Sequence, residues 1–265
     1  MDRLHASVIH SLLTPNAVAI LNGVKVYFQI DSTNRYLLTK ARQGLKGRWA
    51  CLAEYQTAGY GRNGKSWLSP LNSGLCLSLL WTFKLHINQL SGLSLVVGVA
   101  LAETLESYGI SGIGLKWPND LYWSGRKLAG ILIELVISGN EINVIIGIGI
   151  NIHFTTKNLI NINQPVIDLV SINHQLISRN QLAAILLSNL SSILQKFEQE
   201  GFEPFIESWQ QRDILKGQKL QIILPDGKIN TGIGVGINKN GYLLLQDQSA
   251  VLMITSGEVT VRINY

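Results

Sequence analysis

Two segments of the chain carry residues suited to anionic chemistry. Gly59-Tyr60-Gly61-Arg62-Asn63-Gly64-Lys65-Ser66-Trp67 is glycine-rich and holds two cations. Lys116-Trp117-Pro118-Asn119-Asp120 places a lysine at the end of an apolar run that a proline stops. Backbone amides and fixed cations suit a site that handles phosphate and carboxylate oxygens. Together they point to activation of an acid by a nucleotide.

The glycines satisfy two phosphate-binding patterns that their surroundings do not support. Gly59, Gly64, Lys65 and Ser66 fit G-x-x-x-x-G-K-[ST], and Gly59, Gly61 and Gly64 fit G-x-G-x-x-G. Each pattern needs a helix directly after the loop, because the helix N-terminus supplies the amides and the dipole. Pro70 lies too deep for a first helical turn starting near Lys65, and Asn72, Ser73 and Gly74 are turn formers. The context predicts neither a P-loop nor a dinucleotide site, but a loop between two strands that can close over a ligand.

The elements that must position these residues are legible in outline. Residues 5–21 read as a small helix and a strand, and residues 24–30 as a β-branched and aromatic strand. Asp31-Ser32-Thr33-Asn34 is a run of helix-capping types ahead of a helix over residues 35–41. Strands follow over residues 49–55, 74–83 and 113–117, with a helix over residues 90–108 that Gly109 stops. Residues 121–123 and 128–137 form a hairpin, Ser138-Gly139-Asn140 a turn, and residues 142–152 a further strand. Gly147 and Gly149 in that last strand leave room for something to approach the backbone. Residues 181–197 and 202–211 read as helices. From Lys216 on, short strands alternate with turns, Ser256-Gly257 among them, as in a small β-barrel of about fifty residues. A boundary is expected at 215/216, giving units 1–215 and 216–265. Gly232, Gly234 and Gly236 read as a bulged strand rather than a ligand loop.

Composition narrows the class. The chain has 265 residues, 46% hydrophobic and 15% charged, enough for a large core and unlike a disordered chain. No apolar run reaches membrane-spanning length without interruption, and Met1-Asp2-Arg3-Leu4-His5 does not resemble a signal peptide, so a cytoplasmic location and no membrane partner are expected. Cys51 and Cys76 lie in apolar runs and read as buried reduced thiols. The five histidines are scattered, and no protein-held metal is expected. A net charge of +5, without basic residues clustered among aromatics, supports an anionic small ligand or acidic protein partner rather than nucleic acid.

From about residue 15 onward the chain resembles a biotin–protein ligase, also called biotin–[acetyl-CoA-carboxylase] ligase. The resemblance rests on residues 31–34, 56–67 and 116–120, on Arg126-Lys127-Leu128-Ala129-Gly130, on Gly147-Ile148-Gly149-Ile150-Asn151, and on the barrel-like tail, all in this order. It implies an α+β fold, a mixed sheet flanked by helices of the class II synthetase-like type, plus an SH3-like C-terminal barrel. It also implies biotin as substrate, ATP with Mg²⁺, and a biotin carboxyl carrier protein as lysine acceptor. By position, Ser32, Thr33, Asn34 and Gln56 are expected on biotin's ureido ring, as hydroxyls and amides suit a neutral urea. Tyr60 and Gly61 are expected over biotin. Arg62 and Lys116 would hold the carboxylate and α-phosphate. Lys65, Trp67, Asn119, Lys127 and Asn151 are expected toward ATP. Asp120 is a candidate Mg²⁺ contact or base for the incoming amine; Trp67 and Leu121 are expected to wall the biotin tail, and Trp117 belongs to the core.

The family's loop is commonly Gly-Arg-Gly-Arg-Arg-Gly-Arg, so Tyr60, Asn63 and Lys65 here stand where arginines are usual. The expected consequence is weaker loop closure or ATP affinity, or a stacking role for Tyr60. Larger family members begin with a helix-turn-helix domain of roughly sixty residues. Only about thirty residues precede Ser32, so a catalytic form without operator binding is expected, as monomer or homodimer. The rivals are a lipoate–protein ligase, which normally lacks the Lys-Trp-Pro-Asn-Asp segment, and a biotin sensor without turnover.

Overall fold

The computed structural model describes residues 1–139, 141–155, 164–255 and 259–263. The expected turns at Ser138-Gly139-Asn140 and Ser256-Gly257 fall partly or wholly outside those residues. A seven-stranded mixed sheet forms the centre, in the order β1-β2-β3-β7-β6-β5-β4. Its strands are β1 (Gly23–Ile30), β2 (Arg48–Gln56), β3 (Gly74–Phe83), β4 (Ile113–Lys116), β5 (Asp120–Trp123), β6 (Arg126–Ser138) and β7 (Glu141–Asn151). β1 and β2 pair in parallel and the others antiparallel.

Successive side chains of a strand point to opposite faces, and this alternation decides where the site lies. Along β3, Leu75, Leu77, Leu79 and Trp81 join the main core, while Leu80 joins a second cluster with Cys51 and Ile145. The main core is packed by helix α4 (Leu93–Ser107) and the 22-residue helix that carries Leu182 to Phe197. The second cluster is covered by α3 (Thr33–Arg42), whose Leu37, Leu38 and Ala41 close over it. Ser32 caps α3, its side chain accepting the backbone N–H of Arg35. The residues Cys76 and Ser78 share Leu80's face but lie beyond the end of α3's apolar cover.

Residues Ile87–Ser107 have the length and hydropathy of a membrane span although polar residues interrupt them, and 67% of the apolar stretch is buried in the fold. The N-terminal stretch corrects another expectation. It forms two short helices, α1 (Ala6–Ser11) and α2 (Pro15–Ile20), and no strand. Pro15 at the first helical position and the Thr14 side chain, which accepts from Ala17 N, start α2 where the short apolar clusters suggested a strand. The expected helix over residues 202–211 is a 3₁₀ turn at Glu203–Phe205 followed by one short helix, Ile206–Gln210.

The remaining helices are α5 (Leu169–Asn173), α6 (Arg179–Glu200) and α7 (Ile206–Gln210). The N-terminus of α6 is tied to the start of the chain. The Asp2 carboxylate accepts from Ser178 Oγ, Arg179 N and both nitrogens of Asn180, a cap supplied from the opposite end of the sequence. Burial raises the Asp2 pKa, but these hydrogen bonds outweigh it and leave the group more acidic than usual. The fully buried Arg179 guanidinium pairs with Glu54 Oε2 at 2.7 Å and donates to the Asp2 carbonyl. It also donates to Asn72 Oδ1, on the segment that follows the glycine-rich loop.

The C-terminal unit is a five-stranded antiparallel sheet, β11-β10-β9-β8-β12, made of β8 (Lys219–Ile223), β9 (Ile229–Ile237), β10 (Leu243–Gln246), β11 (Val251–Ile254) and β12 (Thr260–Ile263). Among the described residues its ladder is open, with β11 and β12 at the edges. The register shift between Leu244 and Leu245 lies opposite Gly236 and Gly234, the bulge expected in that glycine run. The two sheets are joined at β4: Leu115 bridges Asp213 in parallel, Leu115 N donates to Arg212 O, and the Leu115 carbonyl accepts from Ile214 N. The Trp117 indole N–H donates to Gly241 O at 2.9 Å, and Trp117 is buried as core.

Two stability predictions follow from these buried groups. Arg179→Met leaves Glu54 uncompensated and should cost about 3–5 kcal/mol, read as a lower urea midpoint, with Arg179→Met/Glu54→Leu recovering much of the loss. Burial pushes the Asp213 carboxyl at the junction up to about 6. Below its unfolded pKa, both states hold the proton; between that value and about 6, the folded state holds it more tightly, so this group's contribution to stability falls as pH rises through the window. Asp213→Asn should therefore raise the urea midpoint at pH 7.5 and have little effect near pH 4, where wild type and variant converge.

Candidate active site

A cavity of about 610 Å³ opens on the α3 face of the central sheet. Its floor is set by strand register. Cys76 of β3, Gly149 of β7 and Gly130 of β6 form one cross-strand row, and Ser78, Gly147 and Leu132 form the next. The glycines in this floor are required by what sits on them. A Cβ at Gly147 would overlap the Asn34 side chain, and one at Gly149 would overlap the Trp67 indole. The close approach expected at Gly147 and Gly149 is thus made by the protein's own side chains. At Gly130 a Cβ would crowd the same indole, 3.2 Å away.

One end of the cavity is polar and closed. Ser32, Thr33 and Asn34, all nearly buried at the start of α3, project into it. Gln56 at the end of β2 accepts from Thr33 N at 2.8 Å through Oε1. Ser78 Oγ donates to Asn34 Oδ1 at 2.7 Å and lies 2.8 Å from Thr33 Oγ1. Asn34 Nδ2 donates to Glu134 Oε2 at 2.8 Å, and Tyr60 Oη donates to the same oxygen at 2.7 Å. Burial, then Glu134, push the Tyr60 phenol pKa up. The Arg35 guanidinium lies 5.2 Å from the centre of the Tyr60 ring, a cation–π contact within the protein.

The other end is cationic. Arg62, Lys65, Lys116 and Lys127 line the cavity together with Asn119 and Asp120. The loop closes on itself through a Tyr60–Ser66 bridge, and Arg62–Gly64 form one 3₁₀ turn with Asn63 in the left-handed region. No α-helix follows, as the failed phosphate-loop context required. An Arg62 nitrogen donates to Asn119 Oδ1 at 3.2 Å, and Asn119 is strapped to β6 by Ile131 N and by its own amide on Ile131 O. Lys127 pairs with Asp120 at 2.7 Å and lies 5.7 Å from the centre of the Trp67 ring.

Burial lowers the Lys116 pKa; Asp120 opposes this, while Lys127 and Lys65 add to it. Burial likewise lowers the Arg62 pKa, again opposed by Asp120. A single carboxylate therefore acts on both cations, in a place where cations outnumber it. Such an excess of partly desolvated positive charge is suited to oxyanions. The cavity also holds Cys76, whose thiol burial pushes up to about 11.

Arg62 and Lys116, far apart in sequence, thus share one cavity, as do Ser32, Thr33, Asn34, Gln56, Tyr60, Gly61, Lys65, Trp67, Asn119, Asp120 and Lys127. Two expected residues lie elsewhere. Asn151 does not line the cavity; its amide donates to Lys127 O and Ile167 O, fixing the backbone that carries Lys127. Leu121 is fully buried beneath the wall. Sequence reading missed Ser78, Glu134 and the contribution of β12, whose Thr260, Val261 and Arg262 line the cavity from the C-terminal sheet. Glu134 had a signal: it is the one charge between Ile131 and Ile137 in a run of apolar residues.

A profile of the Biotin/lipoate A/B protein ligase family matches residues 26–151, and one of the Biotin protein ligase C terminal domain matches residues 217–262. The bifunctional ligase/repressor BirA of Escherichia coli is 40% identical over 260 residues, spanning 98% of this chain and 78% of that protein. Biotin–[acetyl-CoA-carboxylase] ligase of Mycobacterium tuberculosis is 28% identical, with 97% of each chain covered. The structure of biotin protein ligase from Aquifex aeolicus in complex with biotin and ATP superposes with a TM-score of 0.78 at 28% identity, covering 92% of this chain and 100% of that one. The chain belongs to the biotin–protein ligase family.

Gly149→Ala tests the packing of the floor. It should displace Trp67 and lower the loop's resistance to proteolysis by roughly tenfold, with little change in global stability because the site is at the cavity and not in the core. Limited trypsin digestion at Arg62 and Lys65, followed over time, reads it directly.

Proposed function

We propose that this protein attaches biotin to a lysine of a biotin carboxyl carrier domain in two steps, through biotinyl-5′-AMP. The observation that carries this reading is the joining of a closed polar end and a cationic end in one cavity. Biotin's carboxylate attacks the α-phosphorus of ATP and pyrophosphate leaves. The acceptor lysine amine then attacks the mixed anhydride at its carbonyl carbon, forming the amide and releasing AMP.

Ser32, Thr33, Asn34 and Gln56 bind the ureido ring, whose carbonyl accepts and whose two N–H groups donate. Tyr60 and Gly61 cover it from the loop. Arg62 and Lys116 bring the biotin carboxylate and the α-phosphate together and offset charge that builds on the phosphoryl oxygens; positioning and electrostatics supply most of the rate in such a transfer. Lys65, Lys127 and Asn119 face the nucleotide, with Trp67 as the aromatic wall. Asn151 acts only through the Lys127 backbone it holds. The loop excludes water from an anhydride that water would hydrolyse.

Asp120 is the one carboxylate among the described residues lining the cavity, and Lys127 engages it. Mg²⁺ therefore enters with ATP as part of the substrate, held mainly by phosphate oxygens, since that ion keeps few protein ligands. The catalytic unit spans residues 1–215 and the C-terminal unit residues 216–265. The latter is of the SH3-like type, and it contributes the β12 wall.

Biotin-dependent exchange of pyrophosphate into ATP tests the reading. Exchange should occur with biotin and not with lipoate, and Arg62→Ala and Lys116→Ala should each reduce kcat by about a hundredfold. Exchange that is equal with lipoate, or absent with biotin, would sink it.

A further inference from the structure

We infer that Glu134 is a positioning residue that fixes which way the donors and acceptors of the urea-binding end point, acting through Asn34. The inference rests on the assignment of that end to biotin's ureido ring. Glu134 lies one cross-strand step beyond the cavity floor: its row is completed by Ile145 of β7 and, further on, Leu80 of β3. Both neighbours are buried members of the apolar cluster under α3. A carboxylate in such a row is costly unless hydrogen bonds compensate it, and two do, from Asn34 and Tyr60.

The orientation propagates from there. An ionised carboxylate only accepts, so Asn34 must present its NH₂ to Glu134 and its Oδ1 to the other side. There Oδ1 accepts from Ser78 Oγ, which consumes the single Ser78 hydroxyl proton. With its proton given to Asn34, Ser78 can only accept across the 2.8 Å contact with Thr33, so the one Thr33 hydroxyl proton faces acceptors alone, Ser78 Oγ and, at 3.1 Å, Gln56 Oε1. Gln56 Oε1 is held by the Thr33 backbone N–H, which turns the Gln56 amide nitrogen toward Gly59 on the loop. Asn34, Ser78 and the Thr33 hydroxyl thus take their polarity from one charge that does not itself line the cavity, while the Thr33 backbone independently orients Gln56. Without it, Asn34 is free to flip, and each hydroxyl downstream can reverse. A urea has a fixed pattern of one acceptor between two donors and cannot follow such a reversal.

The test compares KM for biotin with kcat and KM for ATP in the exchange reaction. Glu134→Met should raise KM for biotin about tenfold or more, with kcat and KM for ATP within about threefold of wild type. Glu134→Gln can place its amide oxygen where Oε2 now accepts both bonds, and should stay within about threefold throughout. A reciprocal exchange serves if Glu134→Met does not fold. Asn34→Asp sets two acceptors face to face and should raise KM for biotin; adding Glu134→Gln supplies a donor and should recover most of the loss. Glu134→Met with an unchanged KM for biotin, Glu134→Gln as defective as Glu134→Met, or no recovery in the double variant would each overturn the proposal. If Asn34→Asp also leaves KM for biotin unchanged, the assignment of the urea end falls with it.

Discussion

The cavity depends on a patch of sheet that carries almost no side chains. Gly130, Gly147 and Gly149 lie on adjacent strands in two neighbouring cross-strand rows, and the space above them is taken by Asn34 and the Trp67 indole. Ordinary sheet positions at these places would have filled the same volume with methyl groups and pushed both side chains away. Glycine weakens a strand, and here the cost is borne in the middle of the sheet, where β7 pairs with β3 and with β6 over about ten residues each. The recognition surface is therefore built from the top of the sheet upward, with α3 and the loop lowering polar groups into a trough.

The electrical design separates the two ends of that trough. At the closed end one carboxylate, Glu134, meets neutral donors; at the open end one carboxylate, Asp120, meets a surplus of cations. A neutral ring with an acidic tail fits this division, because among the described lining residues cations outnumber carboxylates at the tail end. Asp120 restrains Lys127 and steadies Lys116 and Arg62 without neutralising the group, so like-charged side chains can be held close before an anion arrives.

How much of this was legible depended on whether the information was local. The caps at Ser32, the proline stop after Trp117 and the glycine-rich loop are local signals, and the strands and helices they delimit were placed to within a few residues. The loop's resemblance to a phosphate cradle was set aside correctly because Pro70 and the turn residues behind it are local too. By contrast, residues 15–20 look strand-like in isolation, and the helix there depends on Pro15 and on the Thr14 cap. Ser78 sits in a continuous apolar strand and Arg262 in a short tail strand. Neither spacing nor composition says that they line one cavity, because the contacts that bring them there are made across the sheet and between the two units. Asn151 failed for the opposite reason: a motif marked it, but its amide is used to hold backbone.

Strand β4 has only four residues, and it does two jobs at its C-terminal end. Leu115 is stitched to the chain that leaves for the C-terminal sheet, and the very next residue, Lys116, is the cation inside the cavity. The same small sheet presents β12 to the cavity from the other side and takes the Trp117 indole on Gly241. The position of that small sheet therefore sets the position of an ammonium group and of a wall of the cavity together. Lys116 and the β12 wall are thus mechanically tied through a single short strand and a single indole.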